Sequence, residues 1–455
     1  MDLEPWLARA AALRPDHPAV IDAEGRPTSY AELHAMALDA AAVLQARGIE
    51  GGERVALKLP PGRPFLAAFH ATLMLGATAV PIDLRLGPAE QAARTATAKL
   101  TVDAPLRRTD EPDARPLDRL DPDAPAVVVY TSGTTAAPKP VALTVGNWLW
   151  NALGSALALG LDPEDRWLCT LPLSHVGGLA IPIRSAIYGT TVVLHERFDT
   201  EQALEAMERD RVTLASLVPT TLERLLDAGL GIGGTLSLRV ALIGGGPLPP
   251  LLAARAQEAG IPAAQTYGMT EACSQVATSL PGEPETAGRP LVGLRVAIGG
   301  APPASDGEPV VGEILVQGPT VAPGALAADG WLHTGDLGAL DARGRLLVTG
   351  RKADTIVTGG ENVAPVEVEA ALLAHPAVAD AGVYGRADAR WGEAVVATVV
   401  LHDGSQAEAE ELRAHVAARL ARYKVPKAVA FADRLPRTAS GKLMRRELSR
   451  DPATR

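Results

Sequence analysis

Apolar residues recur along this chain with two alternating periods. From Leu33 through Met36, Ala37, Ala40, Ala41 and Leu44 the spacing is helical; the Ser29-x-x-Glu32 pattern of a capping box opens the run and Gly48 ends it. Arg54 to Leu59 then reads as a strand, and Phe65 to Leu75 as a second helix. Strand and helix in alternation predict an α/β fold with a mostly parallel sheet. Further strand-like runs lie at Ala126–Val129, Trp167–Pro172, Thr191–Leu194, Thr213–Val218 and Arg239–Ile243, with a helix beginning near Asn147. Leu106–Pro125, rich in Pro, Asp and Arg, is an exposed connection. From about Gly293 to Val348 the rhythm changes to short, turn-punctuated strands (Leu294–Ile298, Gly312–Gln317, Arg345–Val348), a small β part. Pro365 opens a helix with apolar Val366, Val368, Ala371 and Leu372, and the remainder reads as a compact α+β unit of about a hundred residues.

At 455 residues the chain is long enough for two or three folding units. Its formal net charge is −10, from 43 basic and 53 acidic residues without long runs of one sign, which excludes the extended basic surface of a nucleic-acid binder. Only two cysteines occur, Cys169 and Cys273, which argues against a disulfide framework and for a reducing compartment. The start, M-D-L-E-P-W-L, fits neither a secretory signal nor a membrane anchor, so the expectation is a cytoplasmic protein with no membrane partner. Assembly into a homo-oligomer stays open.

The densest chemistry is at Tyr130–Pro140, Y-T-S-G-T-T-A-A-P-K-P, directly after an apolar strand. Thr131, Ser132, Thr134 and Thr135 offer hydroxyl donors to phosphate oxygens, Gly133 lets backbone N–H groups approach, and Lys139 adds a mobile cation. It is not a Walker loop, because Pro138 and Pro140 stand where that motif needs its second glycine and its Mg-binding hydroxyl. An ordinary Ser/Thr/Gly connection is the other reading. His175 sits at a strand end beside Gly177 and Gly178, where sheets of this type place ligands. Gly244-Gly245-Gly246-Pro247 either lies flat against a planar ligand or simply turns strand into helix. In Gln265–Glu271 a hydroxyl, Thr270, precedes a carboxylate, Glu271, which suits phosphate on one and Mg2+ on the other. Thr334-Gly335-Asp336 offers a carboxylate to two ribose hydroxyls, and Pro436–Lys442 places Lys442 in a polar turn beside Gly441. Cys273, with no base evident in sequence, reads as a small packing residue.

Taken in order, T-S-G-T-T-x-x-P-K, Y-G-M-T-E, T-G-D, G-R-x-x-D followed by G-G-E-N, and the terminal P-R-T-A-S-G-K strongly resemble the adenylate-forming acyl-CoA synthetase superfamily, over nearly the whole chain. Within it, P-L-S-H-V-G-G-L, Ile187–Phe198 and Tyr267–Val276 are most similar to the o-succinylbenzoate–CoA ligases of menaquinone biosynthesis. The resemblance implies a large N-terminal domain of two doubly wound sheets plus a small β-barrel (residues 1–350, the barrel part about 293–350), a hinge at 351–354, and a mobile α+β C-terminal domain at 355–455. It implies ATP, Mg2+ and CoA acting on a small-molecule carboxylate, first to acyl-AMP and pyrophosphate, then to a thioester.

The same resemblance gives each stretch a role. Thr131, Ser132, Gly133, Thr134, Thr135 and Lys139 would hold the β- and γ-phosphates; Gly244, Gly245, Gly246, Pro247, Tyr267 and Gly268 would surround the nucleotide. Thr270 would touch phosphate and Glu271 would hold Mg2+; Asp336 and Arg351 would bind ribose. Lys442 would bridge the substrate carboxylate and the α-phosphate, His175 and Ser274 would line the acyl pocket, and Arg184 would pair with the distal carboxylate of the substrate. Gly359 and Gly360 would face the pantetheine arm and Ala353 would be the pivot. Two departures stand out: Ala136 and Pro140 replace the glycines of the usual phosphate loop, and Ala353 replaces a polar pivot residue. Neighbouring readings are another aryl- or fatty-acid CoA ligase, or an adenylation enzyme that loads a carrier-protein pantetheine.

Overall fold

The capping box forms as the sequence predicts. The Ser29 hydroxyl accepts from the Glu32 amide at 3.2 Å and the Glu32 carboxylate accepts from the Ser29 amide at 2.7 Å, starting the helix Tyr30–Ala46. That helix buries Leu33, Ala37, Ala40, Ala41 and Leu44 and packs on the next helix, Arg63–Met74. The computed structural model describes residues 3–131, 139–231, 236–299, 309–437 and 443–448.

A five-stranded sheet runs in the order Leu100–Val102, Arg54–Leu57, Thr78–Pro81, Pro125–Thr131, Lys139–Thr144, parallel except for the last. The nine-stranded sheet beside it has six parallel strands at its centre, in the order Ala263–Met269, Val240–Ile243, Leu214–Leu217, Arg166–Cys169, Thr191–Leu194, Pro18–Asp22. Its edges are antiparallel, Ser274–Thr278 with Arg289–Pro290 on one side and Pro27–Ser29 on the other. The central strands are buried on both faces, as the apolar runs require. Helices therefore cover both sheets and the fold is α/β.

One run ends early. Trp167–Pro172 yields a strand only over Arg166–Cys169. Pro172 has no N–H for a ladder. The chain instead turns out so that Gly178 seats on the carbonyls of Leu171 and Pro172, where an added Cβ would lie 2.7 and 2.3 Å away.

The small β part is an antiparallel meander of Arg295–Gly299, Gly312–Gln317, Leu332–Leu340 and Leu346–Arg351. Beyond the short turn Lys352–Asp354, a further sheet is built on the long hairpin Val378–Asp388 and Gly392–Leu401, joined by Ile356–Thr358, Glu361–Val363 and Ala428–Phe431. With the helices Pro365–Leu373 and Ala409–Ala417 it encloses its own core around Val383, Val395, Ala397 and Leu412. Among the described residues, no helix is long and apolar enough to cross a membrane.

Candidate active site

Side chains with chemistry gather where parallel strands end, the place such sheets offer ligands. Ile243 runs into Gly244–Pro247, Met269 into Thr270 and Glu271, Cys169 toward His175, and Pro81 toward Asp83 and Arg85. The strand Lys139–Thr144, which follows the hydroxyl-rich stretch in sequence, touches the Thr270–Ala272 turn. Thr131 is half-buried and its hydroxyl donates to the Lys139 carbonyl at 3.4 Å, while the Lys139 side chain is exposed. Ser132, Gly133, Thr134, Thr135, Ala136 and Lys442 lie outside the described residues.

Three of the sequence-predicted nucleotide residues form one network. The Tyr267 hydroxyl donates to Asp336 Oδ2 at 2.8 Å, and Arg351 Nε lies 3.0 Å from Asp336 Oδ1. Burial and the neighbouring Asp336 carboxylate both push the Tyr267 hydroxyl above its ordinary range, so it remains a donor. Gly268 is dictated by a close approach: the ladder shifts register there, and a Cβ would sit 1.8 Å from the Ser274 carbonyl oxygen. The chain returns through Cys273 and Ser274, both with positive φ (55° and 89°), strained positions that bring Ser274 back beside Gly268.

Glu271 is half-buried, and among the described residues its carboxylate makes no hydrogen bond or ion pair. A cation fits that carboxylate. Among the same residues no three His, Cys, Asp or Glu side chains cluster as a ready-made metal cage. Mg2+, which takes a carboxylate or two and completes its shell with phosphate oxygens and water, suits such a donor set.

At the other end of the crevice, His175 is the N-cap of the helix Val176–Tyr188, and Arg184 lies further along it. Arg184 is only 2% exposed. Its Nε and Nη2 both donate to Asn151 Oδ1, at 3.1 and 2.6 Å, and its guanidinium lies 5.5 Å from the Trp167 ring. Burial works against its charge, and no described carboxylate faces it. Among the described residues the amide nitrogen of Asn151 is buried without a hydrogen-bond partner. Cys273, close enough to Arg184 to interact electrostatically, is fully buried with its thiol pushed up by that burial, which removes it as a nucleophile.

Gly359 and Gly360 form the tip of the Ile356–Thr358 and Glu361–Val363 hairpin, with φ of 61° and 84°. The Gly359 amide donates to the Trp391 carbonyl at 2.8 Å, and both Arg390 (4.7 Å) and Lys427 (5.2 Å) lie over the half-exposed Trp391 ring. Ala353 occupies the turn Lys352–Asp354. Sequence reasoning missed Asp83, Arg85, Asn151 and Trp391. The first pair carried a usable signal, an Asp-x-Arg pattern one residue beyond a buried parallel strand; Asn151 sits inside an ordinary helical pattern and carried none.

The family described as AMP-binding enzyme matches residues 7–326, and the AMP-binding enzyme C-terminal domain matches residues 367–442. A 2-succinylbenzoate–CoA ligase of Bacillus licheniformis is 41% identical, with 98% of this chain and 100% of that protein covered. The o-succinylbenzoate CoA synthetase of Bacillus subtilis in complex with the acyl-adenylate OSB-AMP superimposes with a TM-score of 0.90 at 38% identity, covering 98% of both chains. Its complex with ATP and magnesium gives 0.90 at 38% identity over 99% of this chain and 100% of that one. A double mutant of the same protein bound to the product analogue OSB-NCoA gives 0.73, again at 38% identity and over 99% of both chains. This chain belongs to the AMP-binding enzyme family.

Proposed function

We propose that this protein is an ATP-dependent ligase that converts o-succinylbenzoate to its CoA thioester in two half-reactions. The observation that carries the substrate is Arg184. A buried guanidinium with no facing carboxylate is costly, and a substrate with a second carboxylate, distal to the reacting one, relieves it. Asn151 holds the guanidinium in place through two donors to one oxygen.

In the first half-reaction a carboxylate oxygen attacks the α-phosphorus of ATP and pyrophosphate leaves. Thr131 with Ser132, Gly133, Thr134, Thr135 and Lys139 binds the β- and γ-phosphates; Gly244, Gly245, Gly246 and Pro247 lie against adenine, and Asp336 and Arg351 take the ribose. Tyr267 pins Asp336 by its hydrogen bond. Thr270 donates to phosphate, Glu271 holds Mg2+, and Lys442 brings positive charge to the oxygens between acid and α-phosphorus. Mg2+, when bound, offsets negative charge on the phosphates.

In the second half-reaction the thiol attacks the acyl carbon and AMP departs. A thiol of pKa ~8.5 is only a few per cent ionised near neutrality, so the site must deliver it along a defined path. Lys442 and the thiol need the same approach. Residues 355–455 would therefore rotate about Ala353, withdrawing Lys442 and presenting Gly359 and Gly360 to the pantetheine arm. Trp391, with Arg390 and Lys427 over its ring beside that hairpin, has the chemistry to receive the nucleotide end of CoA, an aromatic ring with two cations. The lower superposition of the relative's OSB-NCoA complex, at the same identity and with coverage of 99% against 98%, fits two arrangements of the same parts.

The test is pyrophosphate release from Mg-ATP with a panel of acids, each with and without CoA. Release with o-succinylbenzoate, and its CoA thioester by mass, is the expected outcome. Release only with an acid lacking the distal carboxylate would overturn the substrate, and a thioester formed only on a carrier protein would overturn the acceptor.

A further inference from the structure

The helix Val145–Leu159 is built inside out. Apart from its tryptophans, its polar side chains are Asn147, Asn151 and Ser155, which recur every fourth residue and are all buried. A helix lying on a sheet ordinarily shows the reverse, apolar inward and polar outward. Here the outward positions are Trp150, Leu153 and Leu157, which are 36%, 43% and 68% exposed, and the helix carries no charged residue. Gly160 caps its end, and Leu161 just beyond is 51% exposed.

The stripe continues onto the neighbouring turn. Gly154 seats on Leu291, where an added Cβ would stand 3.1 Å away, and one added to Gly293 would stand 3.4 Å from the Trp150 ring. Val292, between these two contacts, is 56% exposed. An apolar side chain of this size offers on the order of 100–200 Å² to water, so these five leave roughly 400 Å² of apolar surface uncovered. A standard interface buries about 800 Å² on each partner, of which about 450 Å² is apolar. The stripe thus supplies nearly the whole apolar share of one such contact.

Its pattern also selects the occupant. Trp150, Leu153 and Leu157 are spaced three and four residues apart, the seam that packs against another helix. A helix that lies on a lipid surface carries Lys or Arg on its polar face, and this one has neither. A second copy brings the same uncharged seam, and about a two-fold axis an apolar stripe is its own complement.

We propose that this face joins two copies of the chain, the helices Val145–Leu159 crossing antiparallel about a two-fold axis near Leu153, with Trp150 of each copy facing Leu157 of the other. The contact lies on the opposite face from Asn151. It braces the helix that holds Arg184 and adds no residue to the site.

Two measurements test it. In sedimentation velocity at micromolar concentration the parent is expected at twice the mass of one chain, and Leu153→Lys/Leu157→Lys at the mass of one. Both positions face water in the single chain, so the variant should keep the circular dichroism spectrum of the parent. A monomeric parent, or a dimer unchanged by the two lysines, overturns the proposal. Co-sedimentation of a monomeric parent with phosphatidylglycerol vesicles, lost in the variant, would overturn it by assigning the face to lipid.

The second measurement does not depend on how the lysine variant folds. Cys169 and Cys273 are both buried, so Leu153→Cys introduces an accessible thiol of its own. Treated with a short bis-maleimide, it is expected to give a covalent dimer on a denaturing gel, while Leu251→Cys, exposed on the helix Pro250–Glu258, gives none. No band at 153, or equal bands for both, overturns the proposal. Neither measurement needs turnover, so each stands whatever acid the enzyme takes.

Discussion

Replacing Arg184 with methionine separates a substrate-binding cation from a structural one, because the two roles predict opposite changes in stability. Arg184 is 2% exposed, and among the described residues Asn151 Oδ1 is the acceptor of its guanidinium. Removing an unpaired buried charge in favour of an apolar side chain of similar length recovers desolvation worth several kcal/mol. Against that, Asn151 Oδ1 loses both donors, a cost of about 1–3 kcal/mol. The free protein should therefore melt at the parent temperature or above it. For a substrate with a distal carboxylate, losing a buried charge partner costs about 2–5 kcal/mol, or about 30-fold to several-thousand-fold in kcat/KM. For benzoate, which has no such group, kcat/KM should change little. The assay is continuous pyrophosphate release with both acids, alongside calorimetric melting. Loss of several degrees in Tm with equal loss for both acids would refute the reasoning and make Arg184 a core residue. An Asn151→Leu/Arg184→Met pair, which removes the orphaned oxygen as well, should be more stable than Arg184→Met alone.

Lys442→Ala is expected to abolish adenylation yet retain thioester formation from supplied acyl-AMP; equal loss in both half-reactions, followed by pyrophosphate and thioester assays, would end the proposed division of labour. His70, buried in the helix Arg63–Met74, has its pKa pushed down to about 3 by burial and by His34. A base depressed in the folded state binds fewer protons there than when unfolded, so its contribution is intact above the unfolded histidine range and is lost as pH falls from ~6.5 toward the folded value, by at most ~1.4 kcal/mol per pH unit. Denaturant melts between pH 7 and 4 should show that decline, and His70→Gln should flatten it.

What could be read from sequence tracks how local the cause is. The capping box, the buried parallel strands and the Tyr130 loop each declare themselves within a dozen residues, because caps, periods and turns are short-range physics. Even there Pro172 cut a strand short, for a reason supplied by Gly178, which seats on it across a turn. Tyr267, Asp336 and Arg351 were named one by one, but their meeting depends on how the small β meander lies against the larger sheet. Asn151 was invisible for a related cause: its importance comes from a guanidinium 33 positions away, and nothing in a helical pattern marks which polar residue faces a buried charge. Asp83 and His175 meet at 3.7 Å from different sheets, so no periodicity relates them.

The contacts on the two sides of the proposed pivot differ in kind. On one side of Ala353, Lys352 reaches Glu313 of the β meander at 3.4 Å through a side chain that is 69% exposed, a pair worth about 0–1 kcal/mol. On the other side, Asp354 is bound at 3.2 Å by Arg445, whose guanidinium also holds Glu369 through two bonds of 2.7 and 2.9 Å, largely out of solvent. A turn at residue 353 would give up that exposed contact and the Thr355 hydroxyl's bond to the Arg351 carbonyl at 3.2 Å, and keep the clamp. Arg445 comes three residues after Lys442 in sequence, and its guanidinium also donates to the Val383 carbonyl at 3.2 Å, so the clamp joins the hinge turn to the sheet that carries the Gly359–Gly360 hairpin. Rotation would then move Arg445 and the hairpin as one body. Alanine at the pivot suits this: with no polar side chain to re-pair, position 353 adds nothing to the barrier in either direction.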